Sequence, residues 1–322
     1  MKRYLITDKK YDTVVGSRGG STDLESLHQE ILAIYKEVKA ICDRHNLRYF
    51  AEGGTRVGAM LCNSILPNDD DLDIRMPRED YSQLLKIAPH ELPAHLQLLD
   101  CTVYPHSRGN MAKIQNIETT FIEAPKKNSP MEWGGVFIDI VPYDNAPEYW
   151  LDREVLHRKG TRLFIYDLLR KKNGVALNLS RFKTQTWWYR LSEENGVQMP
   201  NNMVSMLLLY IYILAHPVNY YAKRLDALWQ GFENGKSSYI TCPGRPWEEG
   251  GRVLYIKREY CDQIIQQEFY DTTMPVPVGW QEINIQSYGY PARFERVTKK
   301  LEYGYLDLTR SYLDYRLEAF RA

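Results

Sequence analysis

The sequence predicts an α+β protein: a mixed-sheet core carrying a second, helical lobe. Three observations lead there. Leu24, Leu27, Ile31, Ile34, Val38 and Ile41 recur every three or four residues, the stripe of a long amphipathic helix. Between residues 48 and 143, short apolar runs bounded by Gly, Pro, Asn and Ser alternate with helical patterns. From 147 to 235 the strand character ceases and the chain turns helical and aromatic.

The elements follow in order. Residues 1–21 carry Gly16, Gly19 and Gly20 without apolar period and suit an arm. Thr22 and Glu25 have capping-box spacing and open the first helix, which runs to His45-Asn46. A strand over 48–52, a Gly53-Gly54 turn, a short helix from Thr55, an acidic loop entering Leu72-Asp73-Ile74 and a helix from Arg78 come next. Strands are expected over 95–104, 111–115, 119–123 and 136–143. Residues 22–147 then form the core, 148–235 the helical lobe, and 236–322 a segment that packs back on the core, ending in a Tyr-rich amphipathic helix from about Arg293. The apolar run 203–215 is thirteen residues, short of the roughly 20 needed to cross a bilayer. It reads as a buried helix, with a helix lying in the membrane plane as the alternative.

Composition removes several function classes. At 322 residues the chain buries a sizeable core without staples, and 44% hydrophobic with 25% charged residues excludes disorder, collagen and coiled coil. Lys+Arg 41 balances Asp+Glu 41, so the basic excess of a nucleic-acid binder is absent and no nucleic-acid partner is expected. Five cysteines without CxxC spacing argue against a disulfide framework or zinc knuckle and for a reducing compartment. The start MKRYLITDKK leads into no apolar segment of a secretory signal, so the cytoplasm is the expected location. Residues 151–190 hold ten Lys/Arg against three Asp/Glu, a local excess that faces either an anionic partner or solvent.

The strongest chemical signal is Asn68-Asp69-Asp70-Asp71-Leu72-Asp73-Ile74. If Leu72 and Ile74 point into the core, Asp71 and Asp73 project together from the other strand face and form an oxygen cup for a hard divalent cation. Gly53-Gly54-Thr55, at a strand end and a helix start, permits close backbone approach to an anion. Asp139 stands alone in the apolar run Val136-Phe137-Ile138-Asp139-Ile140-Val141. A buried carboxylate there requires a metal, a cation or a set of donors, among which backbone N–H groups would make its role structural.

A Gly-Gly turn opening a helix, an Asp-apolar-Asp strand and a later strand with a lone Asp together resemble the nucleotidyltransferase fold, in which three carboxylates bind magnesium. The run Tyr49-Phe50-Ala51-Glu52-Gly53-Gly54-Thr55, then Gly58-Ala59, Pro67, Asp69 to Ile74 and Met76-Pro77-Arg78-Glu79-Asp80-Tyr81, is similar to the signature of the LicD family. Lys113-Ile114-Gln115-Asn116, the run from Gly135 to Pro142 and the stretch from Met274 to Trp280 leading to Tyr288-Gly289 carry the resemblance further. It covers roughly residues 24–145, with a weaker echo over 236–291. The chain departs from the family where Met60 to Leu66 replaces a basic stretch and Asn68 a tryptophan. Arg56 stands in place of an apolar residue, either as a displaced positive charge or as an exposed helix residue.

The resemblance implies Mg²⁺-dependent transfer of phosphocholine from CDP-choline to a hydroxyl of a cell-surface glycan precursor, teichoic acid or lipopolysaccharide among them, releasing CMP. Mn²⁺ is the substitute metal. Asp71, Asp73 and Asp139 are then the catalytic metal ligands, with Asp139 either a ligand or the proton acceptor; Gly53, Gly54, Thr55, Arg56, Asp70 and Lys113 bind substrate. A quaternary ammonium needs aromatic faces, and Trp133, Trp187, Trp188, Trp247 and Trp280 are the cage candidates. Two alternatives stand beside this: another phospho-alcohol such as ribitol phosphate from a CDP donor, or a non-catalytic domain binding glycan or a partner. A lipid-linked sugar acceptor adds a peripheral contact at the inner membrane face, met by the basic 151–190 segment.

Overall fold

The computed structural model describes residues 21–100, 111–123, 130–171, 197–200, 202–232, 237–241, 255–293 and 303–321. The arm (residues 1–20), Trp187, Trp188, Trp247, Cys101 and Cys242 lie outside them. The first helix, α1, spans Ser21–His45, and its stripe Leu27, Ile31, Ile34, Val38 and Ile41 is fully buried against the sheet. Each such side chain contributes about 1.5–3 kcal/mol by leaving water, which is what fixes the helix there.

Beneath α1 lies a sheet of order β1-β2-β6-β4-β3, with β1 Phe50–Ala51, β2 Asp73–Pro77, β3 Leu96–Leu99, β4 Ala112–Asn116 and β6 Phe137–Asn145. β2 and β6 run parallel; the β1–β2, β6–β4 and β4–β3 pairs are antiparallel. The strands alternate faces as period-two chemistry dictates. Leu72, Ile74, Met76, Ala112, Ile114, Ile138 and Ile140 enter the core under α1, leaving Asp73, Arg75, Lys113 and Asp139 for the opposite face. Helix α2, Gly53–Cys62, begins two residues earlier than its sequence suggests, because both glycines join its first turn. Helix α3, Arg78–Glu91, connects β2 to β3.

The expected strand over 119–123 forms as β5, Thr120–Glu123, but outside the main sheet: it pairs with β11, Tyr303–Asp307. That pairing corrects the C-terminal reading. Instead of one helix from Arg293 there is a strand and then a short helix, α8, Tyr312–Arg321. Two causes are visible. Tyr305 packs inward with Trp133, Tyr312 and Tyr315, so the tyrosines serve a strand face. Asp307 Oδ1 then accepts from both Thr309 N and Thr309 Oγ1 at 2.9 and 2.8 Å, a local turn that competes with helix.

The helical lobe consists of α4, Trp150–Lys171, α5, Met203–Leu214, and α6, Tyr220–Gln230. Leu156, Phe164 and Leu168 of α4 pack on Leu225 and Trp229 of α6. One guanidinium joins the lobe to the sheet: Arg78 donates to both oxygens of Asp144 on β6 at 2.7 and 2.6 Å and to Asp226 on α6 at 2.8 Å. The expectation of a buried helix over 203–215 fails. Met206 and Ile213 are buried, whereas Met203, Val204, Leu207, Leu208, Ile211, Tyr212 and Leu214 are 41–66% exposed. A helix apolar all round signals burial by composition, yet at the edge of the lobe only one side of it finds a partner. Among the described residues no helix is long and apolar enough to cross a membrane.

The later strands return to the sheet. β7, Tyr239–Thr241, pairs with the end of β6 and with β8, Tyr255–Lys257. The hairpin of β9, Ile264–Phe269, and β10, Thr272–Pro277, adds Phe269, Met274 and Val276 to the main core, and α7, Trp280–Tyr288, follows it.

Candidate active site

Strand register assembles the site. Asp73 on β2 faces Asp139 on β6, and Asp139 faces Lys113 on β4, so two carboxylates and an ammonium stand in one row across three adjacent strands. Lys113 Nζ lies 2.7 Å from Asp139 Oδ1 and 3.3 Å from the centroid of the Phe137 ring, which shares the Asp139 face of β6. The ammonium is held by charge and ring together. It stands out of hydrogen-bond alignment with Asp139 Oδ1, which stays buried without a hydrogen bond.

The glycine turn is fastened to the start of this row. Glu52 N–H donates to the Asp73 carbonyl at 3.0 Å, and Asp73 N–H donates to Thr55 Oγ1 at 2.8 Å. Gly53 has φ +50°, which a side chain tolerates poorly, and a Cβ there would lie 3.7 Å from Asp73 Oδ2 and 3.9 Å from Tyr288 Oη. At Gly54 the constraint is space: a Cβ would come within 2.3 Å of Asp69 Oδ2. The two glycines therefore bring the α2 amino terminus, with its outward N–H groups, between two acids.

Asp71 is placed with its sequence neighbours. Carboxylate oxygens of Asp69, Asp70 and Asp71 lie within 4.8 Å of one another, with Asp69 and Asp70 buried and Asp71 half-buried. The ladder contact on this side is made by Leu72, whose carbonyl accepts from Asp139 N–H at 2.9 Å. His28 of α1 holds the loop through its Nε2, 2.7 Å from the Asp69 carbonyl. Burial pushes the His28 imidazole below its ordinary range, against the pull of that carbonyl and of the Asp70 charge.

Arg56 is neither an exposed helix residue nor open to solvent as a substrate clamp. It is 1% exposed, donating to Glu52 Oε2 at 3.4 Å and to Asn284 Oδ1 of α7 at 3.0 Å. The other Glu52 oxygen accepts from Arg75 Nη2 at 2.6 Å, and Arg75 is as deeply buried. This Arg-Glu-Arg cluster lies directly behind the glycine turn. Sequence reasoning passed over Glu52 and Arg75, although each is a charge inside an apolar run, the same signal that singled out Asp139. Asp69 and Tyr288 enter the sequence reading only inside their motifs, without a role of their own, and His28 does not enter it.

The cage candidates fare differently. Trp133 is core, packed with Ile122, Tyr305 and Tyr312, and Trp280 leans on the main core. The Tyr288 hydroxyl reaches Gly53, and the Tyr288 ring lies 6.5 Å from that of Tyr290.

Comparison with known proteins relates the segment that carries these residues to a family. Residues 46–169 match the model of the LicD/FKTN/FKRP nucleotidyltransferase domain. The chain is 25% identical over 254 residues to the lipopolysaccharide cholinephosphotransferase LicD of Haemophilus influenzae, covering 78% of this chain and 84% of that protein. It is also 29% identical over 150 residues to an uncharacterized protein of Rickettsia prowazekii, spanning 47% of this chain and 46% of that one. An uncharacterized protein of Rickettsia typhi is 33% identical over 89 residues, 28% of this chain and 23% of its own length. The matched segment runs from just after α1 into α4 and contains the glycine turn, the acidic loop and the whole Asp73–Asp139–Lys113 row, so residues 46–169 carry a domain of the LicD/FKTN/FKRP nucleotidyltransferase type.

Proposed function

We propose that this phosphotransferase moves phosphocholine from CDP-choline to a hydroxyl of a cell-surface glycan precursor, in the cytoplasm and with Mg²⁺, releasing CMP. The observation that carries the reading is the Asp73–Asp139–Lys113 row set against the amino terminus of α2.

The donor chemistry suits a hard divalent ion: Asp73 and Asp139 face each other on adjacent strands, and Asp71, in the loop just before β2, stands with Asp69 and Asp70, carboxylate oxygens within 4.8 Å of one another. Asp71, Asp73 and Asp139 are the residues to hold Mg²⁺, or Mn²⁺ in its place. A divalent ion held by these residues would supply Lewis-acid positive charge to the phosphates of the donor. The chain supplies the rest. The outward N–H groups of Gly53 and Gly54 receive one phosphate oxygen, and Lys113 offers its point charge to another. The Asp139 carboxylate, with Lys113 Nζ 2.7 Å from its Oδ1, accepts the proton of the attacking sugar hydroxyl. With Tyr288 close to Gly53, the aromatic face for the choline ammonium falls at the same turn.

The direct test is CMP release from CDP-choline with Mg²⁺, repeated in EDTA and with Asp71→Ala. Expected is turnover that both treatments abolish. Turnover indifferent to chelation and to Asp71→Ala overturns the metal reading, and release from CDP-ribitol alone replaces choline as the cargo.

Gly54→Ala tests the close approach separately. The added methyl displaces the Asp69 carboxylate and the loop attached to it, so kcat/KM should fall about 10²-fold while the thermal midpoint moves little. Steady-state kinetics beside a melting curve check this.

A further inference from the structure

Helix α5 presents a continuous apolar strip made of Val204, Leu207, Leu208, Ile211 and Leu214, positions three and four apart on one side of the helix, all of them exposed. Met206 and Ile213 point the other way; Ile213 packs on Ile165, Leu169 and Tyr221. Residues 197–222 contain no Asp, Glu, Lys or Arg.

Charge collects along the border of the strip, and it has one sign. Arg162 and Arg170 stand eight residues apart on α4, on the face where Tyr166 meets Tyr221 of α6 with rings 5.5 Å apart. Arg162 is exposed, and Arg170 Nε donates to the His216 carbonyl at 2.7 Å, two residues beyond the end of α5. Lys223 and Arg224, both exposed, follow closely on Tyr221 of α6, the residue that packs on Ile213 of α5. The acids nearest in sequence are engaged elsewhere: Asp167 is buried with Lys171 at 2.6 Å, and Asp226 binds Arg78. Tyr212 is exposed and Tyr210 and Tyr220 are half-buried, rings with a polar tip that suit the boundary between lipid and water.

We propose that α5 docks the protein on an anionic phospholipid bilayer, lying in the plane of the headgroups with its strip in the acyl region and the four cationic side chains among the phosphates. Twelve residues span about 18 Å, too short to cross and well suited to lie flat. A second copy of the chain fits less well, because a twofold contact through this strip would set like-charged borders against each other. The inference stands independently of the transferase reading, and its readout needs no turnover.

The experiment is co-sedimentation of the full chain with phosphatidylglycerol/phosphatidylcholine vesicles, with phosphatidylcholine alone as the neutral arm. The protein should partition onto the anionic vesicles, more weakly onto neutral ones, and less as salt is raised. Leu207→Ser/Leu208→Ser/Ile211→Ser, at exposed positions that leave the lobe core intact, should lower the partition coefficient on the order of a hundred-fold. Arg162→Glu or Lys223→Glu, at the border alone, should lower it about five-fold or more each on anionic vesicles and little on neutral ones. Failure of the wild-type chain to bind anionic vesicles, or triple-variant binding equal to wild type, overturns the proposal. So does a wild-type dimer in analytical ultracentrifugation that the triple variant dissociates, since a second copy would then cover the strip.

Discussion

Asp139→Asn is expected to lower CMP release about 10²–10⁴-fold with the fold unchanged, because in the proposed reaction it removes the proton acceptor and one metal oxygen while keeping the shape of the side chain. The neighbours make the result interpretable. Ile138 and Ile140, which flank it, belong to the core under α1 and are untouched, so secondary structure and thermal midpoint should stay close to wild type. Lys113 then loses the Asp139 charge and keeps only the Phe137 ring, so the lysine needs a control of its own. Lys113→Ala provides the contrast: it should raise KM for the CDP donor more than it lowers kcat. Steady-state kinetics on both variants, with circular dichroism as the fold control, decide the matter. An Asp139→Asn enzyme within two-fold of wild type would remove the row from the reaction.

Glu52→Gln should unfold the protein at markedly lower temperature. Arg56 and Arg75 are each about 1% exposed and share the Glu52 carboxylate, so neutralising it leaves two desolvated cations facing an amide. Removing one partner of a buried charge group costs about 3–5 kcal/mol, which for a chain of this size corresponds to roughly 10 °C in the midpoint. Differential scanning calorimetry measures it. Adding Arg56→Met should return part of the loss, since one of the two cations is then gone, and a double-mutant cycle gives the coupling directly. Additive effects of the two substitutions would show that the cluster does not act as a unit.

What could be read from the sequence was whatever a single segment encodes. The α1 stripe, the alternation that sends Ile74 and Ile140 inward, and the isolation of Asp139 among apolar neighbours are all local patterns, and each led to the right element. Pairings across long separations left no such trace. Arg56 read either as a displaced positive charge for substrate or as an exposed helix residue, and its burial went unseen because its partner Asn284 lies 228 positions later. The tyrosines after Arg293 looked helical because nothing near them announces β5, the strand with which Tyr303–Asp307 pairs. Asp71 was expected to share a strand face with Asp73, but β2 begins at Asp73, and the Asp71 carboxylate groups instead with Asp69 and Asp70. In α5 the error ran the opposite way, since composition reports how apolar a helix is and leaves open which of its sides meets protein.

Arg78 gives the molecule a mechanical property. With one guanidinium fork closed on Asp144 and a third N–H on Asp226, tilting α6 away from the sheet requires breaking charge-assisted bonds at 2.6–2.8 Å. Sheet and lobe are riveted at the carboxyl end of β6, five residues beyond Asp139, so a torque applied to the lobe is transmitted to the strand that bears this carboxylate.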